Sequence, residues 1–205
     1  MPAPSVLPNA ARRELNRLQA RLEALYHLEP GPDIVPFVQV EASGREQVLV
    51  RSSEGELELK VLLPSSCVHV LASARSDQDM DAYLGAIEGV SHFTHLVERA
   101  RTRLPTTLLE LELQAEVDKF ALLSPAAAAR GRRELWRLHQ RLYENVRFLH
   151  EQGSEPGIRY RLANDLAARL WAAWMEHSEH EAVQLELRRF YRAGQADKIR
   201  IAQAA

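Results

Sequence analysis

Glu88, His92 and His95 stand four and three residues apart in the run GAIEGVSHFTHLV. On a helix such positions are one turn apart and share a face, so a carboxylate and two imidazoles would project together. A second acidic set lies in LLELELQAEVDKF (108–120), where Glu110, Glu112, Glu116 and Asp118 sit among leucines. If the two segments are facing helices, His92 and His95 from one and Glu112 and Glu116 from the other supply nitrogen and oxygen ligands suited to zinc, iron or manganese. A divalent transition metal is the cofactor this set implies. The Glu-x-x-His spacing of di-iron bundles is absent, because Glu88 to His92 is one residue longer.

The competing reading is structural, and it is the preferred one. Residues 130–147 carry Arg130, Arg132, Arg133, Arg137, Arg141 and Arg147 against only Glu134 and Glu144. A carboxylate held half out of water is costly without a partner, and a guanidinium can satisfy both its oxygens. Under this reading Glu112 and Glu116 face those arginines, Lys119 pairs locally, and the chain needs no cofactor.

Other signals are weaker. Asp77, Asp79, Asp81, Leu84 and Glu88 match several EF-hand positions, but Ala82 stands where the loop turns sharply on glycine. His177 and His180 form another His-x-x-His, at a junction between helices. Arg188, Arg189, Arg192, Lys198 and Arg200 lie beside Phe190 and Tyr191 and form the expected partner-binding surface. The formal net charge of −2 and pI near 6.5 argue against nucleic acid, so the partner is another protein or a second copy of this chain. The single cysteine, Cys67, excludes an internal disulfide and has no flanking cation to activate it. No Gly-rich phosphate loop, nucleophile elbow or Cys–His pair is present.

The elements that must position these groups are read from periodicity. Leu15, Leu18, Leu22 and Leu25 recur at helical spacing, and EPGPD (29–33) ends that helix. Three β-rich runs, 34–40, 46–52 and 55–64, are separated by turn residues and suggest a three-stranded antiparallel meander. Residues 66–72 fit either a strand or a helix.

Apolar residues from 80 to 97 then mark a long helix. LLELELQAEVDKF alternates like a strand, but Thr107 with Glu110 forms a capping box and no glycine or proline interrupts residues 108–124, so it reads as a helix. On a wheel it has two apolar stripes, with one acidic seam expected in water and one against protein. A joint is expected at PAAAARG, then helices over 132–153, 158–177 and 181–192, and a frayed tail.

The resulting fold class is α+β: an N-terminal helix, a small three-stranded antiparallel sheet, and a bundle of about five α-helices. Residues 1–9 are expected to be flexible and 10–201 to form one domain, with helix and meander over 10–73 and bundle over 77–192. With 205 residues, 46% of them hydrophobic, the chain can bury a continuous core. No apolar run reaches the roughly 20 residues of a membrane helix, and no signal peptide is evident. A cytoplasmic location is therefore the expectation. Of 26 basic residues only Lys60, Lys119 and Lys198 are lysines, a usage associated with GC-rich bacterial genomes. The function expected is a non-enzymatic interaction module, an adaptor or regulatory subunit, with the metal-binding helical enzyme as the alternative.

Overall fold

The computed structural model describes residues 7–53, 56–73, 79–177 and 180–205. The class is α+β as expected. Helix α1 (Asn9–Tyr26) is followed by strands β1 (Val38–Glu41), β2 (Gln47–Ser53) and β3 (Glu56–Pro64). The helices α2 (Ser65–Ala72), α3 (Met80–Thr102), α4 (Leu108–Ala128), α5 (Arg132–His139), α6 (Glu155–His177), α7 (His180–Arg192) and α8 (Gln195–Ala204) complete the order. None of the described helices is long and apolar enough to cross a membrane. The chain divides into two compact units, one of 1–24 and 28–104, the other of 25–27 and 105–205.

In the first unit the sheet order is β1-β3-β2, and the sheet is mixed rather than an antiparallel meander. β2 and β3 form the expected antiparallel hairpin, with Gln47 opposite Leu62 and Ser53 opposite Glu56. β1 instead runs parallel to β3, Val38 beside Val61 and Glu41 beside Pro64. Turn residues fix which strands are joined, but not which edge of β3 the first strand takes. The carboxamide of Gln19 on α1 accepts from Ile34 N (3.0 Å) and donates to the Pro32 carbonyl (2.9 Å), which ties down the approach to β1.

Leu15, Leu18 and Leu22 are fully buried on α1, as their spacing requires. Residues 66–72 prove helical, within α2. Helix α3 packs on both β2 and β3 and is buried almost all round between Ala86 and Leu96. Its approach to the sheet depends on Gly89: a Cβ there would come 3.1 Å from Leu63 Cδ2 and 3.2 Å from both Val61 Cγ1 and Glu46 Cγ.

In the second unit the 108–120 segment is a helix, and its Thr107 cap is present: Glu110 N donates to Thr107 Oγ1 at 3.1 Å. The helix does not stop at Pro125 but runs on to Ala128. Neither acidic seam of α4 is free in water as one was expected to be. Glu110, Glu112, Gln114, Asp118 and Lys119 are all buried, and only Glu116 is partly exposed.

The expected helix over 132–153 is shorter. α5 passes into a single π turn, Gln140–Glu144, closed by Asn145 N donating to the Gln140 carbonyl at 2.9 Å. The widened turn buries Leu142 and Tyr143, with Asn164 Nδ2 donating to the Leu142 carbonyl and Tyr143 Oη to the Glu116 carbonyl. Leu149, within the stretch expected to be helical, is 66% exposed. α6 buries Ala163, Ala167, Leu170, Trp171 and Trp174. In place of a frayed tail there is helix α8, anchored by Lys198 and Ala202.

Candidate functional site

The four residues read from sequence as metal ligands are divided between the two units. His92 and His95 lie on α3 in the first unit, Glu112 and Glu116 on α4 in the second. The Glu112 carboxylate is 3.7 Å from Arg159 Nε on α6. Glu112 therefore meets an arginine, but one outside the expected 130–147 stretch. Glu116 pairs with Lys119 at 2.7 Å, one turn along the same helix. His95 Nε2 accepts a hydrogen bond from Arg99 Nε at 3.2 Å. A guanidinium has no acceptor to offer, so this contact occupies the imidazole nitrogen as a lone-pair donor and leaves the ring proton on Nδ1.

His92 does join a ligand-type cluster, with partners that differ from those expected. Glu46, Glu88 and His92 each offer one ligand atom, and these atoms lie within 4.8 Å of one another. Glu88 and His92 are adjacent on one face of α3 because they are four residues apart. Glu46 arrives from the turn before β2, and its carboxylate is 3.2 Å from His92 Nδ1. The side chains of Glu46 and His92 are 7% and 9% exposed. Gly89, between Glu88 and His92 on the helix, leaves the space that Glu46 Cγ occupies. The Cys67 thiol is pushed up to about 11, first by burial and then by the charges of Glu46 and Glu88. It is inert at neutral pH, as its sequence setting implied.

The EF-hand match does not form a loop. Asp77 lies outside the described residues, while Asp81 and Glu88 sit on the continuous helix α3, which cannot wrap a cation as a twelve-residue loop does. The side chains of His177 and His180 lie outside the described part of the structure.

The five basic residues near the C-terminus separate into three groups. Lys198 is fully buried. Its Nζ donates to Gln114 Oε1 and sits over the Phe190 ring, 4.8 Å from the centroid. Gln114 Nε2 passes the network to Asp118 Oδ1 at 2.8 Å, and Tyr26 Oη donates to the same oxygen. A buried ammonium is tolerable only with such partners. Arg188 is held by its Nε, which donates to the Leu25 carbonyl at 3.1 Å, and the exposed Arg192 also donates, from Nη2 to the Tyr26 carbonyl at 3.0 Å.

Arg189, Arg192 and Arg200, with Ala193, Asp197 and Ile201, line a cleft of about 340 Å³. A second cleft of about 330 Å³ shares Arg189, Arg200 and Ile201 and continues over Leu170, Trp174 and Ala204. Together they form a groove that is apolar at one end and rimmed by guanidiniums at the other. Two acids stand on its rim: Glu186 is 3.8 Å from Arg189, and Asp197 pairs with Arg200.

The chain matches no protein-family model, no curated protein and no solved structure.

Proposed function

We propose that the chain is a non-enzymatic interaction module whose α6–α7–α8 groove takes a segment of another protein. The observation that carries this reading is the pairing, in one groove, of an apolar stretch at Trp174, Ile201 and Ala204 with Arg189, Arg192 and Arg200. A partner segment with one large apolar side chain flanked by carboxylates complements both ends. The apolar group supplies desolvation and the guanidiniums supply orientation and register. Three guanidiniums against two carboxylates leave the rim cationic, which favours an acidic partner over a basic one.

The test uses a panel of short amphipathic peptides, acidic, neutral and basic, titrated into the full chain with tryptophan fluorescence as the readout. Trp174 lines the groove and should report on its occupation. Acidic apolar peptides should bind, binding should weaken with salt, and the double variant Arg189→Glu, Arg200→Glu should lose it by at least about tenfold. Equal binding of acidic and basic peptides, or binding unchanged in the double variant, would rule the groove out.

A further inference from the structure

We propose that Glu46, Glu88 and His92 form a binding site for a divalent transition-metal ion in the first unit, separate from the groove of the second. Three residues from two elements bring ligand atoms to within 4.8 Å of one another. Metal–oxygen and metal–nitrogen bonds of about 2.0–2.2 Å place ligand atoms roughly 3–4 Å apart, inside that limit.

The charges point the same way. Two carboxylates converge where little water reaches them, since Glu88 is buried and the Glu46 side chain is 7% exposed. Two carboxylates on one side of an imidazole attract a divalent cation. The imidazole distinguishes the ion: magnesium and calcium prefer all-oxygen shells, whereas zinc, manganese, iron and cobalt accept nitrogen with oxygen.

The arrangement is also supported from behind. Glu88 and His92 are fixed by the backbone of α3, and Glu46 is held where Gly89 leaves room for its methylenes. Three protein ligands leave at least one coordination position for water or an exogenous ligand.

Cobalt(II) is the probe, added to untagged full-length protein and followed by visible absorbance and equilibrium dialysis, with zinc(II) as competitor. One equivalent should bind with a d–d band, and zinc should displace it. Glu46→Gln, Glu88→Gln and His92→Gln should each weaken binding by about 10–100-fold. The double variant His177→Gln, His180→Gln should leave it unchanged. Apo-protein melting curves show whether each variant folds. If one does not, the zinc-induced shift of the His92 ring nitrogens in the native protein decides, assigned by comparison with the remaining variants. Absence of saturable one-equivalent binding overturns the proposal. So does binding that persists within twofold in all three ligand variants, or that vanishes with His177 and His180.

Discussion

Lys198 and Asp118, eighty residues apart in the chain, are joined through one side chain: Gln114 accepts from the Lys198 ammonium and donates to Asp118 Oδ1 at 2.8 Å. All three residues are fully buried. Helix α8 is thereby bonded to the interior of α4 by a polar path, with Tyr26 Oη closing on the same carboxylate.

Truncating one end of this path should cost far more than an exposed substitution. Lys198→Ala is expected to destabilise by about 3–5 kcal/mol, because it strands buried polar partners. Lys198→Met keeps the aliphatic volume and should cost less. Combined with Asp118→Asn, its effect should fall short of the sum by about 0.5–3 kcal/mol. Urea denaturation of the native protein, Lys198→Met, Asp118→Asn and their double variant measures this, and strict additivity would mean the path carries no coupling.

The Tyr26 and Tyr143 hydroxyls are both held well above their ordinary range, first by burial and then by nearby carboxylates, Asp118 for one and Glu116 for the other. A folded pKa raised above the unfolded value of about 10 gives stability that is complete below that pH and lost as pH rises through the folded value. Of five tyrosines, these two should remain protonated until the chain unfolds. Ultraviolet titration between about pH 9 and 12, beside circular dichroism, checks it. All five ionising while helicity is unchanged would contradict the burial of these hydroxyls.

Gly89→Ala should destabilise by about 1–3 kcal/mol. The new Cβ would meet Leu63, Val61 and Glu46 at 3.1–3.2 Å across a packed interface. Gly153→Ala, where the added methyl meets nothing within 4 Å, should not share this loss. Thermal melting of the two variants makes the comparison.

Cys67 should be slow to alkylate. With its thiol near 11, about one molecule in a thousand is thiolate at pH 8, and the rate should fall roughly 100-fold below a free thiol. Glu46→Gln removes one of the opposing charges and should speed the reaction. Native protein labelling as fast as glutathione would show that the carboxylates and the burial do not act on this sulfur.

Helix α4 separates the readable from the hidden. Its existence, its cap at Thr107 and its two apolar faces all come from residues within a few positions of each other, and helix geometry depends on just such neighbours. Lys119 pairs with Glu116 within the helix, but the partner of Glu112 comes from another helix. Arg159 reaches Glu112 from α6, and no local pattern distinguishes it from the arginines of 130–147. The parallel pairing of β1 with β3 was hidden for the same reason, since alternation marks a strand without naming its neighbour. Lys198 looked like one cation among five, yet α8 turns it inward.

The cluster around His92 divides along the same line. Local sequence by itself determined that Glu88 and His92 share a helical face, because four residues make about one turn. Tertiary structure alone decided that Glu46 joins them, and that His95 turns to Arg99. The 46-residue separation of Glu46 and His92 is closed by packing of α3 on the sheet at Gly89, and such a contact leaves no periodic trace in the chain.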